Sequence, residues 1–222
     1  MSDQTVLSRR ERERLMRRQA MLDAARTVFA ERGYRQATLE EIAERAEFGK
    51  GTLYNYFEGG KEELLFAVLD DVYDTICDLT RRVLQPDRLE DQSIQELFHR
   101  YMSAIIDHMI EHQDLFMLLI KEGHRLAFDE EKEKVEYFQR QNQRVKDQLI
   151  PTIEAGIDRG RLKAFPPQII ASFILGNLNG YLMEACCKDD CIEDSVEHPD
   201  PEEAAEFITT VLFDGLANDR NP

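Results

Sequence analysis

Apolar residues recur along most of this chain at the three- and four-residue spacing of a buried helix face, and almost no stretch alternates as a strand would. The pattern therefore predicts an all-α protein of about nine helices. We expect the first helix to start near Ser8 or Leu15 and to stop at Gly33, and we expect Pro151 to kink or divide the seventh. The other helices are expected at about 39–46, 50–57, 61–84, 94–111, 115–124, 129–159, 167–188 and 201–216.

Residues 38–57 contain two short helical patterns separated by a break. Thr38 and Glu41 have the spacing of a capping box, which opens the first of these helices. The second begins after Gly49, and its residues Leu53 and Phe57 lie on one inward face. This arrangement predicts a helix-turn-helix whose second helix offers basic, hydroxyl and amide groups to the major groove of DNA. The candidate DNA-binding residues are Thr38, Lys50, Gly51, Thr52, Tyr54, Asn55, Tyr56 and Lys61.

These runs carry a resemblance to a known family. The segments LDAARTVFAERGYRQATLEEIAERAEFGKGTLYNYF and KEELLFAVL, within about Met16 to Leu69, resemble the DNA-binding domain of the TetR family of bacterial transcriptional regulators. Two features depart from the family pattern. Glu47, Phe48 and Gly49 stand where the family usually has Gly, an apolar residue and Ser or Thr, and the following loop, residues 58–60, is one residue longer than its commonest spacing.

The resemblance implies two domains and a function. Residues 1–60 would form the N-terminal three-helix DNA-binding domain, and residues 61–222 a C-terminal helical domain for effector binding and dimerisation. The implied protein is a homodimeric repressor that a small hydrophobic ligand releases from a double-stranded DNA operator. With the second helix in the major groove, Thr38, Lys50 and Lys61 would mainly contact phosphates. Base edges or phosphates would be met by Thr52, Tyr54, Asn55 and Tyr56.

Charge is distributed unevenly along the chain. The formal net charge is −16, but residues 1–65 hold 12 basic and 12 acidic side chains, so the remainder holds 16 and 32. Six arginines precede the helix-turn-helix closely: Arg9, Arg10, Arg12, Arg14, Arg17 and Arg18. Such an arm is suited to a phosphate backbone or a minor groove. The alternative is a solvated helix face balanced by Glu11 and Glu13.

The last two helices are apolar on more than one side. In the resembled family the corresponding helices pair with those of a second subunit, and an ordinary buried core is the alternative. Gly176 and Gly180, four residues apart, would allow a second helix to approach closely. The candidate dimer-interface residues are Phe173, Gly176, Gly180, Phe207 and Val211.

Aromatic, methionine and isolated polar residues are frequent between residues 94 and 124 and between 165 and 184. They favour an apolar ligand cavity with a few orienting groups, although core packing explains most of them equally well. The absence of a charged cluster among them predicts a neutral or weakly polar ligand of aromatic or acyl type. The candidate ligand-binding residues are Tyr101, His108, Phe116, Met117, His124, Phe173, Asn177 and Tyr181.

Three cysteines near the C-terminus offer an alternative function, a regulator that senses a metal or oxidant. Cys186, Cys187 and Cys191, with His198 nearby, do not have ordinary zinc spacing, and reduced thiols are the simpler interpretation. The sequence shows no catalytic constellation and no cofactor motif, so we do not expect an enzyme. It shows no signal peptide and no membrane span either, which predicts a cytoplasmic protein without a membrane partner.

Overall fold

The computed structural model describes residues 8–186 and 200–214, with side chains through residue 183 and again from residue 200. The described part contains nine α-helices and no strand, which confirms the all-α prediction. The helices are α1 Arg9–Gln36, α2 Leu39–Arg45, α3 Lys50–Tyr54, α4 Gly60–Val83, α5 Ile94–Glu111, α6 Gln113–Ala127, α7 Lys132–Asp158, α8 Pro167–Cys186 and α9 Pro201–Phe213. A short 3-10 turn, Pro86–Glu90, joins α4 to α5.

Side-chain caps determine where several helices begin. The Thr38 hydroxyl accepts a hydrogen bond from the Glu41 N–H (3.2 Å), and the Glu41 carboxylate accepts one from the Thr38 N–H (2.9 Å). The predicted capping box at Thr38 is therefore present, and Ser93 opens α5 with the same reciprocal pair. A third box, at Ser8, was not predicted and starts α1 at Arg9. Each box satisfies amide donors that the first helical turn would otherwise leave exposed.

Gly33 interrupts α1, as expected, but helical structure resumes for three residues. Its φ of 73° and ψ of 154° lie outside the helical region. A residue with a side chain rarely adopts positive φ, so glycine is the natural residue at this break. Upstream, the predicted inward stripe that includes Leu22 and Phe29 is buried.

Pro151 was expected to kink or divide α7, and the helix is not divided there. Proline removes one backbone hydrogen bond and crowds the preceding turn, yet the helix continues from Lys132 to Asp158. Leu149 and Ile153, on either side of the proline, are completely buried. Tertiary packing of this face therefore offsets the local disruption.

By its internal contacts the chain divides into two compact units, Met1–Val72 and Tyr73–Pro222. The first has a core formed by α1 to α3 and the first half of α4, in which Leu64 and Leu65 are fully buried. In the second, α5 packs on α9, and α7 packs on α8 and α6. This division falls inside α4, whose first three turns bury their apolar face in the first unit. The predicted functional domains, residues 1–60 and 61–222, stay a prediction. None of the helices in the described part of the chain is long and apolar enough to span a membrane.

Candidate functional site

Two buried apolar side chains anchor the second helix of the predicted helix-turn-helix in the core. Leu53 and Phe57 are completely buried, whereas Lys50, Tyr54 and Asn55 are exposed. Regular helix ends at Tyr54, earlier than the predicted end at Phe57, although the Phe57 N–H still donates to the Leu53 carbonyl at 3.0 Å. The predicted DNA-binding residues between 50 and 56 thus share one surface, formed by α3 and the turn after it.

The turn that precedes α3 is made without glycine at its left-handed position. Glu47 has a φ of 58°, and the next amide, that of Phe48, donates to the Ala43 carbonyl at 2.9 Å. A side chain in this conformation costs about 1 kcal/mol, which the surrounding packing must offset. The sequence departure at residue 47 therefore leaves the turn intact.

Two ion pairs lie beside this surface. Lys50 pairs with Glu40, and the contact raises the pKa of Lys50 and lowers the pKa of Glu40. Arg45 pairs with Glu31 at 2.6 Å. Both pairs are exposed to solvent, so their charges can exchange partners at little cost. A phosphate that contacts Lys50 would have to compete with the Glu40 carboxylate.

Lys61 has a different geometry from Lys50. Its ammonium group donates to three backbone carbonyls, those of Tyr34 (2.9 Å), Arg35 (3.2 Å) and Ala37 (2.9 Å). It also lies 4.7 Å from the centre of the Tyr34 ring. An ammonium has three N–H donors, so these bonds use all of them. The predicted phosphate contact of Lys61 stays a prediction, and the geometry gives the residue a structural role at the end of α1.

The arginine-rich segment is helical from Arg9 onward rather than an extended arm. Arg10, Arg14 and Arg17 line a groove whose other wall includes Asn55 and Tyr56. The Arg14 guanidinium lies 6.0 Å from the centre of the Tyr56 ring, within the range of a cation–π contact. This basic face of α1 is therefore continuous with the predicted DNA-binding surface.

The second unit contains an apolar cavity of about 360 Å³. Its walls come from α4 to α8, and none of the described residues that line it carries a formal charge. Burial raises the pKa of Tyr101 to about 12 and raises that of Tyr73, so both phenols are neutral polar groups at pH 7. His124 lies in the wall with its Nδ1 2.8 Å from the Ile120 carbonyl oxygen.

Of the eight predicted ligand-binding residues, three line this cavity: Tyr101, Phe116 and His124. The structure places the other five away from it: His108, Met117, Phe173, Asn177 and Tyr181. Phe173 is 60% exposed on the outer face of α8, and the Asn177 amide is turned back to the Phe173 carbonyl at 2.7 Å. Gly176, Gly180 and Met183 of the same helix do line the cavity. Ligand binding by any of the eight residues stays a prediction.

Sequence analysis missed most of the cavity wall. The missed residues include Tyr73, Ile105, Met109, Asn142, Leu178 and Asn179. Helical periodicity indicates that several of them are buried, but a filled core and a cavity wall have the same periodicity. The asparagines were the available signal, because an amide on an apolar face requires a polar partner.

An exposed apolar face runs along α8 and includes Ile169, Phe173 and Met183, with Phe207 of α9 also exposed. A methyl group added at Gly176 or Gly180 would meet no atom within 4 Å. The predicted dimer residue Val211 is partly exposed. Large apolar side chains at this density on an isolated chain indicate an interaction surface.

The cysteine segment lies outside what the structure describes. This applies to the Cys186 side chain and to Cys187, Cys191 and His198. The thiol of Cys77 is buried, and burial raises its pKa. The alternative of a thiol-based sensor therefore gains no support from the described residues.

Comparison with known proteins agrees with the helix-turn-helix geometry. Residues 21–68 match the family described as "Bacterial regulatory proteins, tetR family". Residues 21–68 carry the DNA-binding domain of the TetR family. Curated relatives of the chain are helix-turn-helix transcriptional regulators.

Individual relatives in this family are distant. The chain is 29% identical to the transcriptional regulator YuxN of Bacillus subtilis over 125 residues, which are 56% of this chain and 39% of YuxN. It is 28% identical to the transcriptional repressor KstR2 of Mycobacterium tuberculosis over 147 residues, 65% of this chain and 68% of KstR2. Among solved structures, FadR from Bacillus subtilis in complex with stearoyl-CoA has a TM-score of 0.70 at 19% identity, with 90% and 99% of the two chains covered. At that identity the likeness establishes the fold alone.

The two roles considered for Lys61 can be separated by measuring stability. We expect Lys61→Met to lower the free energy of unfolding by about 1–2 kcal/mol in a urea titration, because three carbonyls lose a charged donor. Lys50→Met, which removes a solvent-exposed ion pair, is the matched control and should change stability little. An unchanged urea midpoint for Lys61→Met, with a lower salt dependence of DNA binding, would instead make Lys61 a phosphate contact.

Proposed function

We propose that this TetR-family regulator is a cytoplasmic homodimeric repressor, and that a small, largely apolar ligand releases it from its operator. The observation that carries the proposal is the exposed polar surface of α3, supported beneath by Leu53 and Phe57. Such a surface has the size and chemistry to enter a major groove. No role in catalysis is part of the proposal.

On DNA, Thr52, Tyr54, Asn55 and Tyr56 are proposed to meet base edges or phosphates, whereas Thr38 and Lys50 position the helix on the backbone. Gly51 has open space around its Cα, so the DNA backbone can approach α3 closely there. The basic face of α1 supplies further phosphate contacts through Arg10, Arg14 and Arg17. The acidic remainder of the chain repels DNA and confines binding to this surface.

Removal of a phosphate contact gives a defined result. We expect Lys50→Ala to weaken binding to operator and to unrelated DNA by a similar factor. The slope of log affinity against log salt concentration should fall in magnitude by about 1. The operator is first obtained by sequencing the DNA fragments that the purified protein retains. Fluorescence anisotropy at several salt concentrations then measures both quantities.

Lys132→Ala is the control for this experiment. Lys132 is equally positive and 88% exposed, but it lies on α7 in an ion pair with Glu136. The Lys132→Ala variant should leave both the affinity for DNA and its salt dependence unchanged. If Lys50→Ala and Tyr56→Ala behave like Lys132→Ala, α3 does not enter the groove as proposed.

A dimer follows from the apolar face of α8 and α9 described above. One recognition helix per subunit requires two half-sites about 34–36 Å apart, or a multiple of that distance, in a near-palindromic operator. Gly176 and Gly180 would allow the partner helix to approach closely. Phe173 and Phe207 would become buried.

We expect Phe173→Asp to produce a monomer in multi-angle light scattering and to abolish tight operator binding, because burying an unpaired carboxylate costs far more than the interface gains there. Phe128→Asp is the matched control, since Phe128 is 85% exposed but lies at the end of α6. A wild-type protein that is monomeric at micromolar concentration, or a Phe128→Asp variant that dissociates equally, would contradict this interface.

An acyl-type ligand is favoured by the cavity itself. A volume of about 360 Å³ falls within the range of small-molecule sites, roughly 300–1,000 Å³. The uncharged wall suits an apolar chain, and the Tyr101 and Asn142 side chains can orient one polar group. The stearoyl-CoA complex of FadR provides a precedent on the same fold.

The proposed route from ligand to DNA runs along α4. Tyr73 and Ile76 of this helix line the cavity, and Lys61 at its start is bonded to the carbonyls that end α1. A ligand that favours a different position of α4 would therefore change the separation of the two α3 helices in the dimer. Coupling of this kind typically amounts to 5- to 150-fold in affinity, or about 1–3 kcal/mol.

Filling the cavity should uncouple ligand from DNA. Free fatty acids and acyl-CoA thioesters of graded length are screened for a shift in melting temperature and a loss of operator affinity. We expect Ile105→Phe, in the cavity wall, to bind operator normally and to lose the response. Ile110→Phe adds the same volume outside the cavity, so this variant should still release the operator when the ligand binds. If no compound in the panel changes the melting temperature or the affinity of the wild type, the acyl-type effector is wrong.

A further inference from the structure

Three metal-ligating side chains meet at the junction between α5 and α6. One ligand atom from each of His108, Glu111 and His112 lies within 4.8 Å of the other two. The two imidazole rings have centroids 4.7 Å apart, and His112 Nε2 is 4.0 Å from a Glu111 carboxylate oxygen. Within residues 8–183 and 200–214 this is the one group of three such residues.

The backbone brings the three groups together without help from distant elements. Residues separated by three and four positions share one face of a helix, so Glu111 and His112 both lie beside His108. His112 ends α5 with a φ of −116° and a ψ of 40°, and its N–H still donates to the His108 carbonyl at 3.1 Å. The same residue precedes α6. The cluster therefore occupies the joint of the two helices.

We propose that His108, Glu111 and His112 bind a divalent transition-metal ion of the zinc class. Two imidazoles and one carboxylate are a zinc donor set, with water in the fourth position, whereas Mg²⁺ and Ca²⁺ prefer oxygen ligands alone. Tetrahedral bonds of about 2.0–2.1 Å place ligand atoms roughly 3.4 Å apart. Glu111 and His112 are exposed and His108 is partly exposed, so side-chain rotation alone can close the remaining gap.

Other histidines of the described chain lack such an arrangement. His99 has one carboxylate neighbour, Glu202 at 3.8 Å, and His124 has its Nδ1 against the Ile120 carbonyl. Neither is within reach of two further ligands. This difference makes His99→Gln a control for the general loss of an imidazole.

An ion bound at this cluster would affect the two helices that meet there. Ile105 and Met109 of α5 and Phe116 and Ile120 of α6 line the apolar cavity. An ion held at His108, Glu111 and His112 restrains the joint between these two walls. Zinc loading should therefore raise the melting temperature and reduce the mobility of the cavity, independently of any effect on DNA.

Zinc binding is measured on the full-length chain after removal of any affinity tag, by calorimetric titration with ZnCl₂ in the presence of excess Mg²⁺. We expect one ion per chain and a rise in melting temperature. His108→Gln combined with His112→Gln should weaken binding at least tenfold, and Glu111→Gln should weaken it by a smaller factor. His99→Gln should match the wild type.

Several results would overturn the assignment. One is equal zinc affinity in the wild type and in the His108→Gln, His112→Gln variant. Another is a loss of zinc affinity in His99→Gln as large as that in the double histidine variant. A third is loss of binding when Cys186, Cys187 and Cys191 are replaced by Ser while the histidine variant binds normally, because this would place the ion at the thiols. Circular dichroism verifies that each variant is folded, and Glu111→Gln, at an exposed position, tests the site if the double variant is not.

Discussion

The complete burial of Leu53 and Phe57 is the constraint on which the candidate DNA-binding surface depends. α3 is five residues long, and a helix of that length does not persist in water by itself. Burial of each of these side chains contributes about 1.5–3 kcal/mol, which is sufficient to hold the short helix in place. The exposed residues of α3 contribute little to this stability, so they are free to serve recognition.

The long helix α4 takes part in both units of the chain. Its start is bonded through Lys61 to the end of α1, its first turns complete the core of the first unit, and its later residues Tyr73 and Ile76 form part of the cavity. Helix α4 thus contributes residues to both units of the chain. Helices α5 and α6, which meet at His108, Glu111 and His112, form other walls of the same cavity.

Local chemistry made much of the fold predictable from sequence. Thr38 and Ser93 each precede a glutamate by three residues, and both capping boxes form because all of their partners lie within one helical turn. The stripe on α1 and the inward pair of α3 follow from helical periodicity in the same way. The stop at Gly33 depends only on backbone conformation. These features required no knowledge of distant neighbours.

Tertiary structure decided which of several plausible partners each side chain meets. Lys61 carries a positive charge, as a phosphate-contacting residue would. Its three N–H donors are nevertheless used by backbone carbonyls more than 20 residues away in the sequence. Phe173 and Tyr101 are both aromatic residues on apolar helices, yet one lies on the outer face and the other lines the cavity. The sequence by itself determined helix positions, caps and buried faces, because those depend on interactions within a few residues. The cavity wall, the structural role of Lys61 and the exposure of the α8 face depend on packing between helices, which periodicity along one helix does not encode.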